Sequence, residues 1–264
     1  MNMAYRFLPA AADHAEPIVA AVHEAFDARL LEMFIYGCAG ITKYVAQQIA
    51  VQNQGGDTHF SLAMSGDELA ACAELRRSAD QLFLNYITVR PSFRSQGLAN
   101  RLLGKAVTFA GAENRREIIL DVFVDNTIPF SWYERLGFQA KYTTSWRTFP
   151  LIPGDEAPVV LSDYAQAEAC QREYGFSKFG VCAGGRLYNI GRLGTQWYRL
   201  TQTEALEAPG LAALLSRLDP RRKVLLLTTD DTPIPGTQAQ LVARSCRMAA
   251  NLESVREQLA RIES

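Results

Sequence analysis

The residues of this chain best suited to chemistry by type and spacing form one short run, Arg94-Ser95-Gln96-Gly97-Leu98-Ala99. An apolar, β-prone stretch (residues 82–89) leads into it, and a helical pattern (98–110) leads out. A strand that turns through a tight basic loop into a helix points unpaired backbone N–H groups, and the positive end of the helix, at one spot. That arrangement suits an anion. Gly97 removes the Cβ that would keep a ligand from the backbone, and Ala99 leaves the first helical turn uncrowded. Arg90, Arg94 and Arg101 add positive charge around the loop. A pyrophosphate-bearing ligand fits this chemistry.

The elements that must position the loop follow from periodicity. Residues 5–8 read as a first strand stopped by Pro9, and Asp13 as the N-cap of a helix reaching Phe26 through Ile18, Val19 and Val22. A second helical region is expected over 27–35, a break at 37–40, and a third helix over 42–54. Residues 59–64 and 69–75 read as strands joined by the turn Ser65-Gly66-Asp67. After the helix from Leu98, a buried strand is expected at 117–124, a short helix at 128–136 with Gly137 as its left-handed cap, and a strand at 138–149. The fold class is α/β, a mixed sheet of α+β character with helices on both faces.

Two motifs then carry a resemblance. Arg94-Ser95-Gln96-Gly97-Leu98-Ala99 resembles the acyl-CoA loop of the GNAT N-acetyltransferase superfamily, Arg/Gln-x-x-Gly-x-Gly/Ala, and Val89-Arg90-Pro91 just before it is also typical of that family. About thirty residues on, the run from Asn126 to Phe138, with Tyr133, Gly137 and Phe138 in place, is similar to the family segment Asn-x-x-Ala-x-x-Leu-Tyr-x-x-x-Gly-Phe. The resemblance covers roughly residues 4–149. It implies that Arg94, Ser95, Gln96, Gly97, Leu98 and Ala99 hold the pyrophosphate of acetyl-CoA, and that the Val89 main chain pairs with its pantetheine arm as an added strand would. It also implies that Asn126 bonds the pantetheine or steadies the opened strands, and that Tyr133 protonates the departing thiolate. Acetyl-CoA is the implied acyl donor, attacked directly by an amine.

Two departures matter. Pro129 stands where the family usually has Ala, a substitution a first helical turn tolerates. The strand over 81–89 holds no carboxylate, and Phe83 occupies a place where some GNAT enzymes carry a catalytic Glu. An amine is protonated near neutral pH, so a proton acceptor is needed. Glu74, Asp80, Asp121, Glu32, or water held by Asn85 and Tyr86, are the candidates.

Beyond Phe149 the composition shifts. Residues 151–158, with two prolines and a glycine, read as a linker. A helix (163–173), a hairpin (175–182 with 186–190), a strand (196–201), a helix (205–218), a strong strand (223–229), a polar loop (230–236) and a closing helix (252–262) follow. The expected division is an acetyl-CoA-binding GNAT domain over 1–150, a linker over 151–158, and a smaller, degenerate GNAT-like domain over 159–264. The last part lacks the acyl-CoA loop: Arg192-Leu193-Gly194 has the wrong spacing. It is expected to shape the acceptor pocket or a dimer contact.

Composition narrows the rest. A net charge of -1, from 27 basic and 28 acidic residues, argues against a nucleic-acid binder. No apolar run has the length of a membrane span, and the first residues carry no signal-peptide core, so a cytoplasmic location is expected. The five cysteines are scattered as reduced thiols would be, and three histidines make a His-centred metal site unexpected. The function expected is N-acetyl transfer to a primary amine of a small molecule. The alternatives are an acetyl-CoA-binding sensor or structural protein without turnover, or an enzyme acting on protein lysines or N-termini. A homodimer is possible.

Overall fold

The computed structural model describes residues 4–111, 115–229, 234 and 238–263. In chain order, β1 (Tyr5–Pro9) is followed by α1 (Ala15–Ala25), the single turn α2 (Ala28–Leu31) and α3 (Ile41–Gln52). β2 (Thr58–Ser65), β3 (Glu68–Arg77) and β4 (Gln81–Val89) come next, then α4 (Leu98–Phe109), β5 (Glu117–Phe123), α5 (Thr127–Arg135) and β6 (Gln139–Pro150). The remainder holds β7 (Val159–Ser162), α6 (Tyr164–Tyr174), β8 (Phe176–Ala183), β9 (Arg186–Leu193) and β10 (Trp197–Leu200). It ends with α7 (Leu211–Leu218), β11 (Lys223–Thr228), β12 (Gln240–Asn251) and α8 (Leu252–Glu263). The fold is a mixed α/β one.

The chain forms two compact units, each drawn from separate segments: Met1–Asp27, Thr42–Tyr142 and Cys246–Ser264 in the first, Ala28–Ile41 and Thr143–Ser245 in the second. The sequence reading expects continuous halves meeting near residue 150. The difference has a cause in packing. Met248, Ala250, Leu252, Val255 and Leu259, from the end of β12 and from α8, join the core of the first unit beside Leu102, Leu103 and Ala106 of α4. An apolar stripe buries itself where a matching face is open, whatever its place in the sequence.

In the first unit β1 to β5 lie in sequence order, with the end of β12 beyond β5. The hairpin predicted at Ser65-Gly66-Asp67 joins β2 to β3, and Gly66 takes a positive φ of 60° there. Pro9 ends β1 without interrupting it, as an edge strand allows. α4 packs on β2, β3 and β4, and α1 packs on β3 and β4. The helices take opposite faces. Thr88 donates to the Ala21 carbonyl of α1 at 3.5 Å, whereas its neighbours Ile87 and Val89 pack against the core that α4 covers. Gln52 of α3 donates to the Ala10 carbonyl (2.7 Å) and accepts from the Phe60 N–H (3.0 Å), so one buried amide ties α3 to β2 and to the end of β1.

In the second unit β7, β8, β9, β10, β11 and β6 lie side by side. Its core gathers Phe179, Ile190, Tyr198, Leu211, Leu215 and Leu226.

Three local expectations change. Asp13 lies within a 3₁₀ turn (Ala12–His14), and it is His14 Nδ1 that accepts the Ala11 N–H, at 2.9 Å. The helix expected over 27–35 stops after Leu31 because the chain folds back at Gly37, where a Cβ would stand 2.2 Å from the Leu31 carbonyl oxygen. The helix expected over 205–218 is two pieces, a 3₁₀ segment (Thr203–Glu207) and α7, because Pro209 lacks an N–H and Gly210 has φ 75°. The polar loop expected at 230–236 lies, Ile234 apart, outside the described residues.

His59 on β2 is buried, and its Nε2 makes no hydrogen bond among the described residues. Burial, and then the Arg77 charge, hold its imidazole below the ordinary 6.5. A folded pKa below the unfolded one gives a stability that is full above the unfolded pKa and is lost as pH falls through the folded pKa. Urea unfolding from about pH 7.5 to about pH 5 should therefore show a loss of stability on the acid side that a His59→Gln variant lacks.

Candidate functional site

The predicted loop is built as its sequence suggests. Arg90 to Arg94 form a 3₁₀ turn opened by Pro91, Ser95 takes a left-handed φ of 62°, and Gly97 takes φ 68° as the N-cap of α4. A Cβ on Gly97 would meet nothing within 4 Å, so the space in front of the helix end is open. The first N–H groups of α4 face that space without helical partners. Two contacts brace the loop: Tyr5 of β1 donates to Gln96 Oε1 at 2.6 Å, and the Arg101 guanidinium lies 4.9 Å from the Phe7 ring centre.

β4 and β5 pair in parallel from Gln81↔Glu117 to Leu84↔Leu120 and then separate. Beside the separation β4 carries a bulge: Glu74 of β3 opposes Tyr86 and Leu75 opposes Leu84, which leaves Asn85 as the extra residue. Past the bulge β4 stays bound to β3. The Arg90 N–H to Ala70 carbonyl bond, 2.9 Å, fixes the alternation, so the neighbouring Val89 and the Ile87 before it turn their N–H and C=O groups toward the side β5 has left. Arg94 Nε reaches back to the Val89 carbonyl at 3.0 Å.

Tyr133 sits on α5, buried, with the rings of Trp132 and Phe138 at 4.7 and 5.5 Å. Burial pushes its phenol up, so it stays protonated across the neutral range. Trp132 Nε1 donates to Asn100 Oδ1 at 2.7 Å, which ties α5 to the first turns of α4. Gly137 ends α5 with φ 90°, as expected. Asn126 is exposed at the N-cap of α5, and its side chain caps no backbone group there.

Residues 27–138 match the model of the Acetyltransferase (GNAT) family. Residues 27–138 thus form a domain similar to the GNAT acetyltransferases. A 58-residue stretch is 38% identical to an uncharacterized N-acetyltransferase of Methanocaldococcus jannaschii, covering 22% of this chain and 26% of that protein. The match thus spans about a quarter of the curated relative's length. Over nearly the whole chain the fold is shared with a tandem GNAT protein from the clavulanic acid biosynthesis pathway, with a TM-score of 0.61 at 14% identity, covering 94% of this chain and 98% of that one. It is shared also with a GCN5-related N-acetyltransferase from Kribbella flavida, with a TM-score of 0.57 at 15% identity, covering 95% of this chain and 72% of that one. Over nearly its whole length the chain thus shares the fold of these two structures.

The second unit repeats the order of parallel strands and intervening helix with a different outcome. β10 pairs in parallel with β11 along its full length, from Trp197↔Lys223 to Leu200↔Leu226, and the other edge of β11 is taken by β6. α7 also begins at a left-handed glycine, Gly210, but there a Cβ would fall 2.4 Å from the Ala157 carbonyl oxygen. Where the first unit leaves a helix end open, this unit fills it with its own linker.

The carboxylates considered as bases have separate surroundings. Glu74 is only 3% exposed, and its Oε1 accepts from Arg76 Nε (2.9 Å) and from Asn85 Nδ2 (2.7 Å). Burial works against the Arg76 charge, and the Glu74 carboxylate outweighs it, holding that guanidinium above its ordinary value. Asp121 is held by both Nε and Nη2 of Arg247, at 2.6 and 2.8 Å. Asp80 lies exposed in the bend before β4, and Glu32 is exposed in the second unit. Cys72, beside Glu74 on β3, is pushed up to about 12 by burial and by the Glu74 charge, which removes it as a neutral-pH nucleophile. Among the described residues no group of three or more His, Cys, Asp or Glu side chains is arranged to hold a metal ion, and no helix is long and apolar enough to cross a membrane.

Sequence reasoning passed over Arg76 and Arg247. Arg247 stands between apolar residues on its strand, which marks it as facing away from the core, but its partner Asp121 comes from chain folding. Arg76 pairs with Glu74, two residues before it on the same face of β3, a spacing the sequence itself carries. For the loop, a Gly97→Ala variant should lose about 1 kcal/mol in urea unfolding through its left-handed φ alone. Ser95→Gly, in the same backbone region, should match or slightly exceed wild type.

Proposed function

We propose that this protein transfers the acetyl group of acetyl-CoA to a primary amine of a small molecule. The observation that carries the reading is the opening between β4 and β5, lined by outward-turned main chain and set beside the uncovered, glycine-capped end of α4. An anion at that helix end and an extended amide arm along β4 would satisfy both features at once. In this reading the backbone of Ser95, Gln96, Gly97, Leu98 and Ala99 holds the pyrophosphate, and Arg94 adds charge. Val89 offers N–H and C=O to the pantetheine arm once Arg94 releases its carbonyl. Asn126, exposed where β5 runs into α5, bonds the same arm.

Chemistry requires the amine to lose a proton, its nitrogen to bond the acetyl carbon, and the carbon–sulfur bond to break. Tyr133, protonated and buried, offers its O–H to the departing sulfur. Main-chain donors of the Ile87–Val89 segment stabilise the oxyanion that forms during attack. The amine's proton leaves toward the face lined by Glu74, Asn85 and Tyr86. Aromatic rings on that face, among them Phe83, Tyr86 and Phe26, support a compact acceptor. The second unit is read as the degenerate GNAT-like domain, its linker standing where a phosphate would need to approach.

Thiol release from acetyl-CoA against a panel of amines tests the reading. Turnover on at least one amine is expected, and Tyr133→Phe should lower kcat about tenfold or more with acetyl-CoA affinity retained. Titration calorimetry should give one acetyl-CoA per chain, and Gly97→Val should abolish that binding while Gly210 and the linker remain intact. Absence of acetyl-CoA binding would overturn the proposal.

A further inference from the structure

Four side chains from four strands meet on the face of the GNAT domain opposite α4, and no part of the proposed cofactor site uses them. Phe83 lies on β4 between Leu82 and Leu84, Asp121 on β5 between Leu120 and Val122, and Arg247 on β12 between Cys246 and Met248. All six flanking residues are in the core that α4 covers, so strand alternation sends Phe83, Asp121 and Arg247 to the other face. The Arg247 guanidinium lies 5.3 Å from the Phe83 ring centre and 5.8 Å from that of Tyr142, at the start of β6. Asp121 grips it in a two-bond fork through Nε and Nη2.

This group stands at the fork of the sheet. Leu84↔Leu120 is the last pair between β4 and β5, and Asp121 is the next residue of β5. A donor whose phosphates sit at the α4 end and whose arm follows β4 enters the opening from the α4 side. The amine must then approach the acyl carbon from the opposite face, where Arg247 lies.

Two rings and a carboxylate together restrain the guanidinium and fix its plane. Nη1 makes no hydrogen bond among the described residues, and the side chain is 27% exposed. A long side chain with this much restraint has lost its rotamer entropy before any ligand arrives. What it then offers is the Nη1 pair of N–H donors, held in a fixed plane and suited to an oxyanion.

We propose that Arg247 is the specificity-determining residue for the acceptor, and that the acceptor is an amine bearing a carboxylate, as an amino acid does. Its Nη1 edge binds the carboxylate, and Asp121 is the positioning residue that holds the fork. This rests on the acetyl-transfer reading above and deepens it.

The experiment compares paired acceptors, amino acids against the amines that lack only the carboxylate, in wild type, Arg247→Gln, Arg247→Lys and Asp121→Asn. Wild type should favour the carboxylated member of a pair by about tenfold or more in kcat/KM. Arg247→Gln should raise KM for that member about tenfold, leaving KM for its partner and the calorimetric affinity for acetyl-CoA unchanged. Arg247→Lys should restore part of the loss, because charge survives and the fork does not. Asp121→Asn should show a smaller rise confined to the same substrates. Equal use of both members by wild type, or a rise in KM for both in Arg247→Gln, would overturn the assignment while leaving acetyl transfer standing. No transfer to any amine by a wild type that binds acetyl-CoA would overturn both.

Discussion

The parting of β4 from β5 after Leu84 and Leu120 is the constraint from which the rest of the first unit follows. Two parallel strands that separate inside a sheet leave main-chain donors and acceptors that must find partners elsewhere. β4 keeps its bonds to β3 and turns its remaining groups into the gap, where Arg94 already occupies the Val89 carbonyl. The bulge at Asn85 marks where the strand changes course, and the buried Glu74 carboxylate secures it by accepting the Asn85 amide. Arg76 in turn balances that charge, since a buried carboxylate without a cation would be costly. One irregularity in a strand thus accounts for a chain of three polar side chains that a regular sheet would not need.

The helices complete the opening. α4 starts at a glycine whose surroundings are empty, and both β1 and α5 hold the loop before it and the turn after it, through Tyr5 with Gln96 and Trp132 with Asn100. Such bracing lets a loop carry a strained residue like Ser95 in a fixed place. The second unit shows the same design closed. Its parallel strands never part, and Gly210 lets the linker's backbone come close instead of leaving room for a ligand. The same residue type serves open space in one unit and tight packing in the other. A helix-capping glycine is therefore no sign of a binding site until its neighbours are known.

How much of this was legible in the sequence depends on the range of the interaction. Local chemistry reads well. Turn and cap rules place Gly66 and Gly137, and both take positive φ, as does Gly97, whose reading rests on its missing Cβ. The strand–loop–helix around Gly97 and the helix carrying Tyr133 follow from periodicity within windows of a dozen residues. Errors arose where a remote segment overrode a local preference. The helical pattern after Asp27 stops because the chain doubles back at Gly37, and the one before Leu211 breaks at Pro209-Gly210, where the linker closes in.

The sequence by itself determined the strand–loop–helix around Gly97, the helix that carries Tyr133 and the mixed α/β class, because each rests on residues near one another in the chain. Only the tertiary structure decided that the last strand and helix return to the first unit, and that Arg247 meets Asp121 across 126 positions of sequence. It also decided that β4 and β5 part while β10 and β11 do not. The physical reason is common to all three. Backbone preference acts between neighbours, whereas burial of an apolar stripe and neutralisation of a charge act between whichever surfaces the folded chain brings together.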